Sequence, residues 1–145
     1  MTKIYTIGFT QKTARTFFRR ISDSGATRLV DVRLNNVSQL AGFAKRDDLE
    51  YFLRELNDVT YFHDLRLAPT KPMLDSYKKH GMSWQDYAYE YQALMAEREI
   101  EKVLSPDAMQ NTVLLCSESS AHHCHRRILA EYLASAWGSV EIEHL

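Results

Sequence analysis

The densest run of reactive side chains is Cys116-Ser-Glu-Ser-Ser-Ala-His-His-Cys-His-Arg126-Arg127. It follows the most apolar stretch of the chain and opens a helical pattern. Arg126 and Arg127 at a helix start oppose the macrodipole by about 0.3–1 kcal/mol each when exposed. They make sense there if an anion joins the free N–H groups and the guanidinium donors. Glu118 is an internal candidate for that anion, and a bound phosphate or carboxylate is the external one. Cys124, next to His125 and Arg126, sits where a thiol pKa falls and a nucleophile forms. It equally suits a small buried residue. Cys116 ends the apolar run, which is a packing position. A phosphatase loop needs Cys, five residues, then Arg, but His122 and Ala130 stand at those places. Cys-x-x-Cys is absent, which excludes a thioredoxin-type pair. Cys116, His122, His123, Cys124 and His125 put five borderline or soft ligands within ten residues. They match no recognised zinc spacing, so no metal ligand set is assigned. His122 and His125 would share a face if both were helical.

Asp31 and Arg33 form a second cluster. Strand alternation puts them on the same side at the end of a buried segment, where an unpaired charge is costly. Either they mark a site or they form a structural bridge with Arg126 or Glu118. Trp84, Tyr87, Tyr89 and Tyr91 offer rings for base stacking. Their helical spacing favours core packing, with Tyr89 facing outward. Residues 1–46 hold nine Lys/Arg and two acids, whereas residues 47–145 hold nine Lys/Arg and seventeen acids. The basic third suits a polyanion-facing surface. It also suits neutralisation by the acidic remainder, within one fold or across a homodimer.

These groups need elements to position them. Residues 3–7 alternate and are rich in β-branched and aromatic side chains, a first strand closed by Gly8. Ala14, Phe17, Phe18 and Ile21 mark one helix face, stopped by Gly25. Residues 28–32 read as a second strand. Asp47 and Glu50 have capping-box spacing before Leu49, Phe52, Leu53 and Leu56. Residues 59–63 read as a third strand. Thr70 with Pro72 opens a short helix ending before Gly81. Ser83 caps a longer one that continues to Leu104. Residues 112–116 are a buried central strand. Leu129, Tyr132, Leu133 and Ala136 mark a helix closed by Gly138, and residues 139–144 alternate as a last strand. The order βαβαβααβαβ predicts an α/β fold over 1–145, a single domain with a mostly parallel sheet of about five strands and helices on both faces. Ligands in such folds bind beyond the carboxyl ends of the strands. Those ends fall at Gly8–Thr10, Asp31–Arg33, His63–Asp64 and Cys116–Glu118.

The chain has 145 residues, 45% hydrophobic and 26% charged, with a formal charge of -1. That composition excludes a disordered chain, and no apolar run approaches the roughly 18 residues of a membrane span. The N-terminus MTKIYTIGFT shows no secretory signal pattern. Two cysteines are too few for a disulfide scaffold, so reduced thiols in a cytoplasmic protein are expected.

Three segments together resemble the domain-of-unknown-function family 488. Thr6-Ile7-Gly8-Phe9-Thr10 matches the family's Thr-Ile-Gly-His-Ser, with Phe9 in place of His. Asp31-Val32-Arg33, with Ser38 five residues on, matches Asp-Val-Arg-x-x-Pro-x-Ser, with Asn36 in place of Pro. Leu115-Cys116-Ser117-Glu118 and Cys124-His125-Arg126 match Leu-Cys-x-Glu and Cys-His-Arg. The resemblance implies an α/β fold and supplies no reaction and no cofactor.

The leading expectation is a pocket built from Thr10, Asp31, Arg33, Ser38, Cys116, Glu118, Cys124, His125 and Arg126. Arg33, Arg126, Thr10 and Ser38 would bind a small anion, a nucleotide or a nucleic-acid phosphate. Glu118 or Asp31 would act as base, His125 as proton carrier, and Cys116 or Cys124 as thiol. The alternative is an interaction module in which the Cys-His-Arg cluster is an internal network. A third option is a Cys/His metal-dependent hydrolase.

Overall fold

The computed structural model describes residues 1–37, 42–118 and 122–145. Five strands form one parallel sheet: β1 (Thr2–Gly8), β2 (Arg28–Asp31), β3 (Thr60–His63), β4 (Thr112–Cys116) and β5 (Val140–His144). Their spatial order is β3-β2-β4-β1-β5. Between them lie α1 (Ala14–Ser24), α2 (Arg46–Phe52), α3 (Lys71–Lys79), α4 (Trp84–Glu97), α5 (Ile100–Val103) and α6 (His125–Trp137). The expected α/β class, parallel sheet and strand count are all present.

Alternation along the strands divides the core in two. Tyr5, Ile7, Leu29, Val113 and Leu115 pack with Phe17, Phe18 and Ile21 of α1 and Leu49 of α2. Ile4, Val30, Leu114 and Cys116 face Tyr91 and Met95 of α4, Ile100 of α5, and Leu129 and Leu133 of α6. Crossovers leaving β1 and β2 therefore cover one face, and those leaving β3 and β4 cover the other. The chain reverses its winding beside β4, and a crevice opens at such a reversal.

Local chemistry sets most boundaries. Thr13, Thr70 and Ser83 cap α1, α3 and α4, each accepting from the backbone N–H three residues on. Gly25 ends α1 with φ 80°. Two expectations are corrected. Asp47 is not a cap: α2 starts at Arg46, Lys45 holds the cap position, and Asp47 and Asp48 sit in the first turn. There their charge meets the positive end of the helix dipole. The fourth helix does not reach Leu104, because Glu99 adopts φ 51° and separates α4 from α5. Among the described residues, no helix is long and apolar enough to cross a membrane.

Candidate functional site

At the carboxyl end of β2, Asp31 accepts four hydrogen bonds. Arg33 forks onto it with Nε at 2.8 Å and Nη2 at 2.7 Å, and adds its backbone N–H at 3.1 Å. The Tyr61 hydroxyl donates the fourth at 2.6 Å, and burial together with Asp31 raises the Tyr61 pKa well above its usual range. Asn36 donates to the same hydroxyl at 3.0 Å. The bridge thus has Tyr61 as third member, rather than Arg126 or Glu118. Arg33 also donates to the Ala44 carbonyl, and its guanidinium lies over the Phe9 ring at 5.3 Å. Arg33 is only 3% exposed, and its Nη1 has no hydrogen-bond partner among the described residues.

Beneath the end of β4 lies Arg126, 1% exposed. It donates from Nη1 to the Glu118 carbonyl at 2.6 Å and to Cys116 Sγ at 3.7 Å, and from Nε to Thr6 Oγ1 at 3.3 Å. The Glu118 carboxylate does not pair with it. That carboxylate meets Lys78 Nζ of α3 at 2.8 Å, with both side chains about half exposed. The internal Glu118–Arg126 salt bridge considered from sequence is therefore replaced by a backbone contact. Burial brings the Arg126 pKa down to about 10, and the Glu118 charge offsets part of that shift. Gly8 is needed at this junction, since an added Cβ would overlap the Glu118 carbonyl oxygen and press on Arg126 Nη1. Thr10 spends its backbone N–H and its hydroxyl on the Ser117 carbonyl.

Cys124 is the N-cap residue of α6, with no side-chain cap bond. It is joined to Cys116 by a disulfide, with Cα atoms 7.4 Å apart. The expected pair of separate reduced thiols is corrected on this point: the start of α6 packs against the end of β4 and brings the sulfurs together. His125 follows, buried, its Nε2 donating to the Val32 carbonyl at 2.9 Å. Burial lowers its pKa to about 4, so the ring is neutral near pH 7. His122 precedes the helix and stacks on His123 at 4.4 Å, so His122 and His125 do not share a helix face.

These ends surround a cavity of about 190 Å³, far above the roughly 10–15 Å³ that one water needs. Arg33, Cys116, Glu118, Cys124 and His125 line it, whereas the strand ends Gly8–Thr10 and His63–Asp64 do not. Asp31, Arg126 and Thr10 do not: the first two are fully buried, and Thr10 is tied to Ser117. Ser38 lies outside the described residues. The opposite wall is aromatic. Tyr77 stacks on Tyr87 at 4.6 Å, and Trp84 stacks on His123 at 5.0 Å. Sequence reading assigned Trp84, Tyr87 and Tyr91 to the core and Tyr89 to solvent. Tyr87 and Tyr91 are buried and Tyr89 is exposed, yet Trp84 and Tyr87 also face the cavity. Tyr77 and Lys78 were missed, because a short helix with no buried residue gives no periodic clue.

A family model described as "Domain of unknown function DUF488" matches residues 13–133. No curated protein and no solved structure shows a significant match.

Proposed function

The chain belongs to the DUF488 family, and from that footing we propose that its cleft binds a small anion bearing an aromatic ring. A nucleoside phosphate, free or at the end of a nucleic-acid strand, has that chemistry. The observation that carries the reading is Arg33, a buried guanidinium beside the cleft with Nη1 unpartnered among the described residues. A buried donor without a partner costs about 1–3 kcal/mol, more when charged. A phosphate or carboxylate oxygen would relieve that cost. Asp31 holds Arg33 in place and has its lone pairs taken, so it is a positioning group rather than a base. Trp84 and Tyr87 offer π faces for a base. Lys78 and Glu118 at the rim provide a movable charge pair. Glu118 is the carboxylate among the described lining residues.

Isothermal calorimetry with a nucleoside monophosphate, the bare nucleoside, inorganic phosphate and a 5′-phosphorylated oligonucleotide tests this. Heat is expected with the phosphorylated ligands, and Trp84→Ala should weaken binding by about 1–3 kcal/mol. Heat with the monophosphate alone would indicate a free nucleotide, and tighter binding of the oligonucleotide a strand end. No heat from any ligand, or unchanged affinity in Trp84→Ala, would refute the reading. A second reading, a purely structural lock between β2 and β3, is favoured by the saturation of Asp31 by Arg33 and by Tyr61 of β3, and it predicts that no-heat result.

A further inference from the structure

We propose that the reduced protein binds a divalent cation of the zinc class through Cys116, Cys124 and His125, with one coordination position open to the cleft. The disulfide is then the metal-free state of the same site. Two sulfurs and one imidazole nitrogen lie within 4.8 Å of one another. All three residues line the cleft and are at most 9% exposed. Two thiolates and one imidazole form a donor set that leaves a tetrahedral ion one free position.

Three further observations fit this assignment. His125 Nε2 donates to the Val32 carbonyl, which fixes the tautomer and leaves the Nδ1 lone pair for a metal. Backbone carbonyls commonly orient metal-bound histidines this way. Arg126 places Nη1 against Cys116 Sγ and has no carboxylate partner among the described residues. A thiolate there supplies the missing negative charge. The Cα separation of 7.4 Å exceeds the usual span of about 4.4–6.8 Å for a disulfide. A thiolate–metal–thiolate bridge, with two bonds of about 2.3 Å, suits that wider setting.

Entry into the metal-binding state is a two-electron reduction by a dithiol. The reductant's two thiols become its own disulfide, and Cys116 and Cys124 gain two electrons and two protons. The cation then displaces those thiol protons to solvent. The metal ligands are distinct from the Arg33 donor and the aromatic wall, and no nucleotide is needed to load them.

The full chain, reduced with a phosphine and kept free of oxygen, is titrated with Co²⁺ and then Zn²⁺. One equivalent of Co²⁺ should give thiolate-to-cobalt charge-transfer absorption, bleached by one equivalent of Zn²⁺. The oxidised protein should give none. Cys116→Ser and Cys124→Ser should each diminish the band, and His125→Ala should weaken affinity by about tenfold or more, with circular dichroism checking the fold. Should a variant not fold, wild-type protein decides: one equivalent of Zn²⁺ must slow alkylation of both thiols. No band in the reduced protein, a band in the oxidised protein, or unprotected thiols would each overturn the proposal.

Discussion

Replacing Asp31 by Asn keeps the shape of the side chain and removes the charge onto which Arg33 forks. Arg33 is left buried, with a neutral amide in place of contacts at 2.7 and 2.8 Å. Breaking a buried, hydrogen-bonded pair from one side costs about 3–5 kcal/mol. Domain stability is about 5–15 kcal/mol in total, so the variant should fold with a large deficit. At this chain length each kcal/mol moves Tm by about 2–4 °C, which gives a drop of roughly 6–20 °C. Urea titrations followed by far-ultraviolet circular dichroism would measure Asp31→Asn, Arg33→Met and the double variant. Removing both charges leaves no orphan ion, so the double variant should be milder than the sum of the singles by about 2 kcal/mol or more. A loss under about 1 kcal/mol for Asp31→Asn, or strict additivity, would refute the account of this network.

Glu118→Ala should melt within about 1 kcal/mol of the parent, because its carboxylate pairs with Lys78 at the surface while Arg126 uses a backbone carbonyl that Ala retains. A loss of several kcal/mol, measured by the same titration, would show that Arg126 depends on that carboxylate. Burial, then the charges of Arg126 and Arg20, bring the Lys12 amine from 10.5 to about 8. Between those two values the unfolded chain holds more protons, so stability rises with pH across that window and is lost as pH falls through 8. Urea midpoints from pH 8 upward should climb in the parent and flatten in Lys12→Gln, and equal slopes would contradict the assignment.

Periodicity sufficed for the order of elements. Phe17, Phe18 and Ile21 bury the face that their spacing implies, and the alternation of Ile4, Tyr5 and Ile7 sorts them onto opposite sides of the sheet. Of the strand ends, Arg33, Cys116 and Glu118 line one cleft, whereas Gly8–Thr10 and His63–Asp64 lie off it. What failed were choices between partners that share a neighbourhood. Glu118 and Arg126 are close in sequence, yet the side chain turns to Lys78, forty residues away in the chain. The approach of Cys124 to Cys116 depends on how α6 docks on β4, which no local pattern encodes. The aromatic wall forms between α3, which has no buried residue to mark a face, and α4, whose pattern reads as ordinary packing.

The central position of β4 has a consequence for how the polypeptide emerges during synthesis. β1 and β2 do not pair with each other, and each finds its shared neighbour only in residues 112–116. Until that segment leaves the ribosome, β2 can pair with β3, but β1 has both edges bare. The sheet therefore closes late, from long-range contacts that carry a high loop-closure cost. A nascent chain stalled before Thr112 exposes unsatisfied strand edges, the surface on which misassembly begins and holding chaperones act.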